Sequence, residues 1–349
     1  MNAQFDENSR PMLSQPCDEV FTPKMPLTFI LGAPRSGTTW LSKIFDSHPS
    51  VMYQHEPDMA SDATPLPVNY PEQDEIKYAA LIREQVAAFL EVRNIKSAGS
   101  LPVFRKQCDT TLSYGSRALS IYFLHLLSKI PPRNLTKHCI VPGSPILQTY
   151  PRIHVVMKSV RLVHHAGLIT RAIPDARTIV ILRNPMGQVA SLLNGITAGK
   201  FEMKRIDFDV RLLATPQART YGLTRQRIAA MPQVEKFAWE WVVRNEKAID
   251  DLDGNPRARI IRYDDLVNDP MGLSQDLFNF AGLDWPRETE AFVTRSMTPR
   301  GFNGYYTVYK HSRATSEKWR EELSEQNIMI IKNALRLSKI GNRWPELIS

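Results

Sequence analysis

The chain has 349 residues, of which 43% are apolar and 23% charged, and its formal net charge is +8. This apolar content excludes a mostly disordered chain, and the small charge excess excludes a tail-driven nucleic-acid binder while allowing one concentrated anion site. The three cysteines are far apart and form no CxxC pair, which indicates a reducing compartment without a disulfide framework.

Residues 1–25 are the first segment in chain order. They carry four acidic and two basic side chains without a basic stretch followed by an apolar one, which predicts a loose arm and no secretory signal. No apolar stretch further along approaches the roughly 20 residues that are needed to span a membrane. We therefore expect a cytoplasmic protein whose single domain covers residues 26–349.

The domain begins with a strand, a tight turn and a helix. The apolar run 27–32 ends at a glycine and predicts a buried parallel strand. Apolar residues at helical spacing follow from Trp40, and this helix is expected to end near Pro49, because proline disfavours helical geometry in the residue before it. A loop is predicted at 61–75, and amphipathic helices are predicted at about 76–93 and 116–129.

Strands and helices alternate through the remainder of the chain. Further strands are predicted at 153–157, 178–182 and 258–263, and further helices up to about 172, from 185 onward, and at 235–251, 270–282 and 321–339. This alternation predicts an α/β fold in which helices cover both faces of a parallel sheet. No Gly/Ser linker divides the chain, so we expect one domain with helical insertions.

The turn after the first strand has the spacing of a phosphate-binding loop. Gly32, Gly37 and the hydroxyls of Thr38 and Thr39 lie between a strand and a helix, which presents backbone N–H groups and a positive helix end to a phosphate. A nucleoside-triphosphatase loop has lysine where Thr38 stands, whereas here Arg35 supplies the cation. The alternative is an ordinary tight turn that is capped by Ser or Thr.

A second anion site is indicated at the end of the strand 178–182. This strand is followed by Arg183, where a nucleoside-triphosphatase would be expected to have an aspartate that holds metal. Because ligands bind at the carboxyl ends of parallel strands, an arginine there favours an anion over magnesium. Ser191 lies on the following helix and, taken by itself, fits a solvated helix serine better than a ligand contact.

The segments 34–41 and 179–185, together with Ser191, resemble the two cofactor-binding motifs of the sulfotransferases that use 3′-phosphoadenosine 5′-phosphosulfate (PAPS). The similarity is strongest to the carbohydrate and tyrosylprotein branch, and further similar segments lie at 241–245, 262–270 and 312–320. The resemblance implies a P-loop-like fold and a reaction that needs no metal. Asn184 stands where the family usually has Asp, and Asn can still cap the following helix.

The resemblance also implies roles for individual residues in binding PAPS. The 5′-phosphosulfate would be held by Arg35, Ser36, Gly37, Thr38 and Thr39, and the 3′-phosphate by Arg183 and Ser191. Trp40 would stack on adenine, although a helix residue packed in the core is an equal alternative. Lys310 and Arg313 would contact the cofactor from a C-terminal loop, while Trp239 and Trp241 are expected to be core residues.

The implied reaction transfers a sulfuryl group to a hydroxyl or amine. The protein would accelerate it chiefly by positioning the reactants and by electrostatic stabilisation. Arg35 would neutralise the leaving 5′-phosphate, and Lys158 would contact the sulfuryl or bridging oxygens unless it is a solvent-exposed lysine at a helix start. Glu56 is the candidate general base, provided that burial raises its pKa. His55 is its rival because imidazole is a common base, and an ordinary surface carboxylate is the third interpretation of Glu56.

The acceptor is not encoded in a readable motif. A saccharide, a glycolipid, a peptide tyrosine and a small metabolite all stay open, and the pocket is expected within the loops 58–115 and 196–232. The product of PAPS would be 3′,5′-adenosine bisphosphate. A kinase with an atypical P-loop and a non-catalytic anion-binding module are the alternatives. We expect no nucleic-acid partner, and the oligomeric state stays open, with a homodimer as one arrangement.

Overall fold

Five parallel strands form the centre of the molecule. The computed structural model describes residues 25–61, 64–127, 139–144, 152–199, 207–297 and 316–348. The strands are β1 (Leu27–Leu31), β2 (Val51–His55), β3 (His154–Ser159), β4 (Arg177–Leu182) and β5 (Ala258–Arg262). They lie in the order β2-β3-β1-β4-β5, and every pairing is parallel. The parallel α/β sheet that the sequence predicts is therefore confirmed.

The helices pack around this sheet. In chain order they are α1 (Thr38–Asp46), α2 (Pro57–Ala60), α3 (Glu75–Leu90), α4 (Ile95–Ala98), α5 (Thr111–Leu127), α6 (Ala166–Ala172), α7 (Pro185–Thr197), α8 (Pro216–Thr220), α9 (Arg225–Ala230), α10 (Gln233–Leu252), α11 (Tyr263–Asn268), α12 (Pro270–Ala281), α13 (Arg287–Met297), α14 (Trp319–Glu322), α15 (Glu325–Arg336) and α16 (Pro345–Ile348). In the part of the chain that the structure describes, none of them is long and apolar enough to cross a membrane.

Alternate side chains of β1 enter two separate hydrophobic cores, as expected for a strand that is covered on both faces. Phe29 and Leu31 pack with residues of α6, α7 and α10, whereas Ile30 packs with residues of α1, α12 and α13. Trp239 and Trp241 of α10 are buried in the first of these cores, which confirms the core interpretation of both tryptophans.

The order of the strands also indicates where a ligand-binding crevice lies. β1 lies between β3 and β4, so the strands that follow it in the chain are divided between its two sides. In open parallel sheets, ligands bind beyond the carboxyl ends of the strands at the point where the order reverses. That point lies at the end of β1, and the turn 32–37 begins there, with Lys158 of β3 and Arg183 after β4 on either side.

Several elements differ from the sequence prediction. The edge strand β2 and the helix α13 were not predicted, and the predicted helix 321–339 is divided into α15 and shorter turns. The strand predicted at 153–157 continues to Ser159, so Lys158 lies inside β3 and not after it. The predicted arm, apart from Met25, lies outside the described residues.

Candidate active site

The turn between β1 and α1 contains two residues with positive φ. Arg35 has a φ of 71° and Gly37 a φ of 97°, both in the left-handed region. A non-glycine residue in that region costs on the order of 1 kcal/mol, so the surroundings must hold Arg35 in place. α1 begins at the buried Thr38 and the half-buried Thr39, and its N-cap residue is Gly37, which has no side chain to cap it. Its first-turn N–H groups and the positive end of its dipole therefore lie at the turn.

Two glycines let the backbone close tightly around this turn. A Cβ on Gly32 would lie 2.5 Å from Ser36 Oγ and 2.7 Å from the carbonyl oxygen of Ile181, and a Cβ on Gly37 would run into the Tyr263 ring. Ser36 is 1% exposed, and its hydroxyl has no hydrogen-bond partner among the described residues. Because an unpaired buried hydroxyl is costly, the turn fits an anion that would accept this hydrogen bond.

Arg35, Arg183 and Ser191 meet at the carboxyl edge of the sheet, so the structure brings the two predicted motifs together. Arg35 Nε donates to Ser191 Oγ at 2.9 Å, and Arg183 Nη1 donates to the carbonyl oxygen of Arg35 at 3.0 Å. The contact with Arg35 shows that Ser191 faces the site, which corrects its interpretation as a solvated helix serine. Arg183 Nε is buried without a partner in the described ranges, so it can still donate to a bound anion.

Tyr263, the first residue of α11, packs its ring against the guanidinium of Arg183. Its ring centroid lies 5.1 Å from the guanidinium carbon, within the range of a cation–π contact, and burial lowers the pKa of Arg183. Tyr263 also packs edge to face against Trp40. Trp40 is 1% exposed, and its Nε1 donates to Ser296 Oγ at 3.1 Å. The structure thus favours the core interpretation of Trp40 over the predicted adenine contact.

Two hydrogen bonds fix the direction in which the chain leaves β4. Asn184 Oδ1 accepts from the backbone N–H of Met186 at 2.9 Å, which confirms that Asn184 caps α7. Trp241 Nε1 donates to the carbonyl oxygen of Arg183 at 3.0 Å. Together these bonds hold the backbone of Arg183 between the sheet and the helix.

Glu56 and Lys158 form an ion pair on the other side of the crevice, in which Lys158 is buried and Glu56 is half-buried. The register of β2 and β3 places His55 beside Lys158, and the backbone N–H of Glu56 donates to the carbonyl oxygen of Lys158 at 2.7 Å. Lys158 Nζ donates to Glu56 Oε1. Lys158 is 3% exposed, so its interpretation as a solvent-exposed lysine is wrong. Glu56 has a φ of 45°, and this strained backbone aims its side chain back toward β3.

The ion pair decides the charge of Glu56. Burial is the largest single effect and would raise the pKa of this carboxyl, but the charge and hydrogen bond of Lys158, together with His55 and Lys96, bring the pKa below its ordinary value. A net rise of the pKa of Glu56, which is the condition that the sequence sets for its role as a base, is therefore not found while Lys158 is paired with it. Burial also lowers the pKa of Lys158 against the attraction of Glu56. At neutral pH Glu56 is an ionised carboxylate, which is the form that can accept a proton.

His55 lies next to this pair and is connected to Tyr53. The Tyr53 hydroxyl and His55 Nδ1 are 2.6 Å apart, and His55 Nε2 lies 3.9 Å from Glu56 Oε1. Burial, together with the charge of Lys158, lowers the pKa of His55 to about 3. The imidazole is therefore neutral at physiological pH.

Sequence reasoning missed three residues that shape this side of the crevice. Tyr53 holds His55, and Lys96 Nζ donates to the carbonyl oxygen of Met59 at 2.6 Å. Asp58 has both carboxylate oxygens buried, and burial raises its pKa. Of these three, only the contact of Tyr53 with His55 could have been predicted from the sequence, because residues two apart on a strand share a face. That prediction would have required β2 to be recognised as a strand.

Two predicted contacts fall outside the described residues, namely Lys310 and Arg313 of the C-terminal loop. Within the described ranges, no group of three or more His, Cys, Asp or Glu side chains could hold a metal ion.

Comparison with known proteins gives a consistent family assignment. A profile of the sulfotransferase family matches residues 26–287. Carbohydrate sulfotransferase 1 of Homo sapiens is 31% identical over 87 residues, which are 24% of this chain and 21% of that protein. The aligned part thus spans about a fifth of that curated relative.

Two solved structures show a more distant similarity. The sulfotransferase domain from the curacin biosynthetic pathway is 14% identical with a TM-score of 0.42, over 88% of this chain and 97% of that one. Mouse sulfotransferase SULT7A1, which was solved in complex with PAP, is 11% identical with a TM-score of 0.41, over 93% of this chain and 89% of that one.

Proposed function

The chain belongs to the sulfotransferase family, and we propose that it transfers the sulfuryl group of PAPS to a hydroxyl or amine of an acceptor. One observation carries this proposal: Arg35, Arg183 and Ser191 converge on one side of a crevice whose other side holds the Glu56–Lys158 pair. The first group suits a donor with two separate phosphate ends, and the second suits removal of a proton from an acceptor.

The donor would lie along the carboxyl edge of the sheet. The N-terminal turn of α1 and the hydroxyls of Ser36, Thr38 and Thr39 would bind the 5′ end, because they offer N–H and O–H donors beside a positive helix end. Arg183 and Ser191 would bind the 3′-phosphate. Arg35, which donates to Ser191, would compensate the charge of the leaving 5′-phosphate.

The acceptor side would hold and move one proton. PAPS supplies a sulfuryl group on a good leaving group, and the acceptor oxygen would bond to sulfur as the bond from sulfur to the 5′-phosphate oxygen breaks. The acceptor proton would pass to the Glu56 carboxylate. Once Glu56 is neutral, its pair with Lys158 weakens, and the ammonium is released to compensate charge on the sulfuryl or phosphate oxygens.

The acceptor is proposed to enter beside α2 and α4, which lie within the predicted region 58–115. α4 packs against β2, and Gly99 directly after α4 contacts both Tyr53 and His55. This wall is made of short helices and turns, so it is suited to variation between acceptors. A saccharide, a glycolipid, a peptide tyrosine and a small metabolite stay the candidate classes.

A nucleotide-binding experiment tests the donor. We expect 3′,5′-adenosine bisphosphate to raise the melting temperature more than adenosine 5′-monophosphate does, because only the former has a 3′-phosphate for Arg183. Mg²⁺ should have no effect on this difference. Stabilisation by Mg²⁺-ATP alone, with phosphoryl transfer, would instead establish the kinase alternative.

A transfer experiment tests the reaction. Sulfur-labelled PAPS is incubated with glycans, glycolipids, tyrosyl peptides and phenols, and labelled products are separated from the donor. We expect at least one class to become labelled. Tight binding of 3′,5′-adenosine bisphosphate without any transfer would favour the non-catalytic anion-binding module.

A further inference from the structure

We propose that Tyr53 is a positioning residue whose hydroxyl donates to His55 Nδ1 and so fixes the neutral imidazole with its proton on Nε2. In that state His55 has no free nitrogen for the proton of the acceptor, which leaves Glu56 as the base. The role of Glu56 as the base rests on the proposed sulfuryl transfer, whereas the tautomer of His55 is independent of it.

The contact between Tyr53 and His55 is well enclosed. The two residues lie two apart on β2, so their side chains leave the same face of the strand. The hydroxyl oxygen lies 2.6 Å from Nδ1, and Tyr53 is 6% exposed. Gly99 closes the pair, since a Cβ there would lie 2.9 Å from Tyr53 Cε1 and 3.1 Å from His55 Cβ.

The charges around the ring keep it neutral. Burial is the largest effect, and Lys158, Lys43 and Lys96 add repulsion against an imidazolium, while Glu56 attracts one. A neutral imidazole has one nitrogen that donates and one that accepts. The short contact with Tyr53 must therefore be either a hydroxyl donating to Nδ1 or an Nδ1–H donating to the hydroxyl.

One observation permits the hydroxyl to be the donor, and a second favours it. Tyr53 keeps its proton, because burial raises the pKa of the phenol well above its ordinary value. The reverse arrangement would leave a lone pair on Nε2, which lies 3.9 Å from the negatively charged Glu56 Oε1. A carboxylate repels a lone pair and attracts an N–H, so the proton belongs on Nε2.

The consequence for the reaction is a division of roles. His55 Nδ1 already accepts a hydrogen bond, and Nε2 already carries a proton, so His55 acts as a donor beside Glu56. Glu56 keeps an ionised carboxylate and is the group that can take the acceptor proton. The alternative of His55 as base, open from the sequence alone, would need the opposite tautomer with an unprotonated Nε2.

The tautomer can be measured without turnover. Protein labelled with ¹⁵N in its histidines gives long-range ¹H–¹⁵N spectra that distinguish Nε2–H from Nδ1–H rings, and the spectrum of His55→Gln assigns the signals of His55. We expect wild-type His55 to show Nε2–H with a hydrogen-bonded Nδ1. In Tyr53→Phe the Nδ1 resonance should move to that of a free acceptor. Wild-type His55 with its proton on Nδ1 would overturn the proposal.

Kinetics give the second readout. We expect Tyr53→Phe to lower kcat about tenfold while the affinity for 3′,5′-adenosine bisphosphate stays unchanged. Tyr122→Phe is the matched control, because Tyr122 is 51% exposed on α5. An unchanged kcat in Tyr53→Phe would contradict its positioning role.

The His55→Gln variant separates the two candidate bases if Tyr53→Phe fails to fold. Glutamine keeps an N–H donor near the Nε2 position but has no basic nitrogen. We expect His55→Gln to retain more turnover than Glu56→Gln. The reverse order of the two variants would overturn the assignment of His55 as a donor, whereas absence of transfer in wild type would count against the proposed function only.

Discussion

The donor side and the acceptor side of the crevice are held together by different forces. The donor side, defined as the turn 32–39 with Arg183 and Ser191, is organised by backbone conformation and by arginines that bond to an uncharged carbonyl and hydroxyl. The acceptor side, defined as Tyr53, His55, Glu56 and Lys158, is organised by an ion pair and a neutral imidazole. Arginines that donate to uncharged groups suit the binding of an anion, whereas a paired carboxylate suits the exchange of a proton.

This difference leads to a separation of effects. Substitutions on the donor side should weaken nucleotide binding in proportion to the hydrogen bonds that are lost. Substitutions on the acceptor side should leave nucleotide binding intact and change turnover or folding stability.

Glu56→Gln should have the largest effect on turnover. We expect kcat to fall by about 10²- to 10⁴-fold, because the acceptor proton loses its base, while the affinity for 3′,5′-adenosine bisphosphate stays the same. Steady-state transfer and calorimetric titration on the same preparation check both parts. Glu321→Gln is the control, since Glu321 is exposed on α14. Full turnover in Glu56→Gln would remove Glu56 from the mechanism.

Lys158→Met should have the largest effect on folding stability. It leaves the half-buried Glu56 carboxylate without its cation, which costs up to about 3 kcal/mol of unfolding free energy. Urea denaturation at neutral pH measures this loss. Adding Glu56→Gln to the variant should restore part of the stability, because the uncompensated charge disappears. If the losses of unfolding free energy of the two single variants simply add in the double variant, the side chains of Glu56 and Lys158 do not stabilise each other.

The same pair predicts a pH dependence. The pKa of folded Glu56 lies below its ordinary value of 4.5, so the stability from the pair is present above that value and is lost as pH falls through the folded pKa. The difference in unfolding free energy between wild type and Glu56→Gln should therefore shrink on acidification. A difference that stays constant down to pH 3 would contradict the ion pair.

Arg183→Gln should weaken the donor side alone. We expect the affinity for 3′,5′-adenosine bisphosphate to fall about 10- to 100-fold and that for adenosine 5′-monophosphate to stay the same, since a charge-assisted contact to the 3′-phosphate is lost. Calorimetric titration with both nucleotides checks this. Arg225→Gln, an exposed arginine on α9, should change neither affinity. Equal losses for both nucleotides would place Arg183 at the other end of the donor.

Ser191→Ala should have the smallest effect. It removes one hydroxyl donor to the 3′-phosphate while the Arg183 contact stays, so we expect a loss of about two- to tenfold in affinity for 3′,5′-adenosine bisphosphate. The exposed Ser116→Ala on α5 is the matched control. A loss as large as that of Arg183→Gln would mean that Ser191 acts chiefly by orienting Arg35, to which it is bonded at 2.9 Å.

The donor side could be predicted from the sequence because its parts are local. Gly32, Gly37 and Arg35 lie within one turn, and Arg183 directly follows a strand whose apolar residues are continuous. Parallel strands end at one edge, so two such segments were expected to meet. What the sequence could not give was the contact between Arg35 and Ser191, which depends on how α7 starts.

The acceptor side could be predicted only as a set of candidates. β2 is a short edge strand with mixed polar and apolar residues, so it has no clear strand signal. Without β2, neither the register that brings Glu56 to Lys158 nor the contact between Tyr53 and His55 follows from the chain. The direction of the pKa shift of Glu56 could not be predicted for the same reason, because it depends on Lys158, which lies 102 residues away in the chain.

A crystal structure with 3′,5′-adenosine bisphosphate tests the central claim most directly. We predict that the 5′-phosphate lies in the turn 32–39 against the start of α1 and that the 3′-phosphate contacts Arg183 and Ser191. The 5′ end should then point toward the Glu56–Lys158 pair. A nucleotide bound in the reversed orientation, or one that leaves Arg183 without a phosphate contact, would contradict the account.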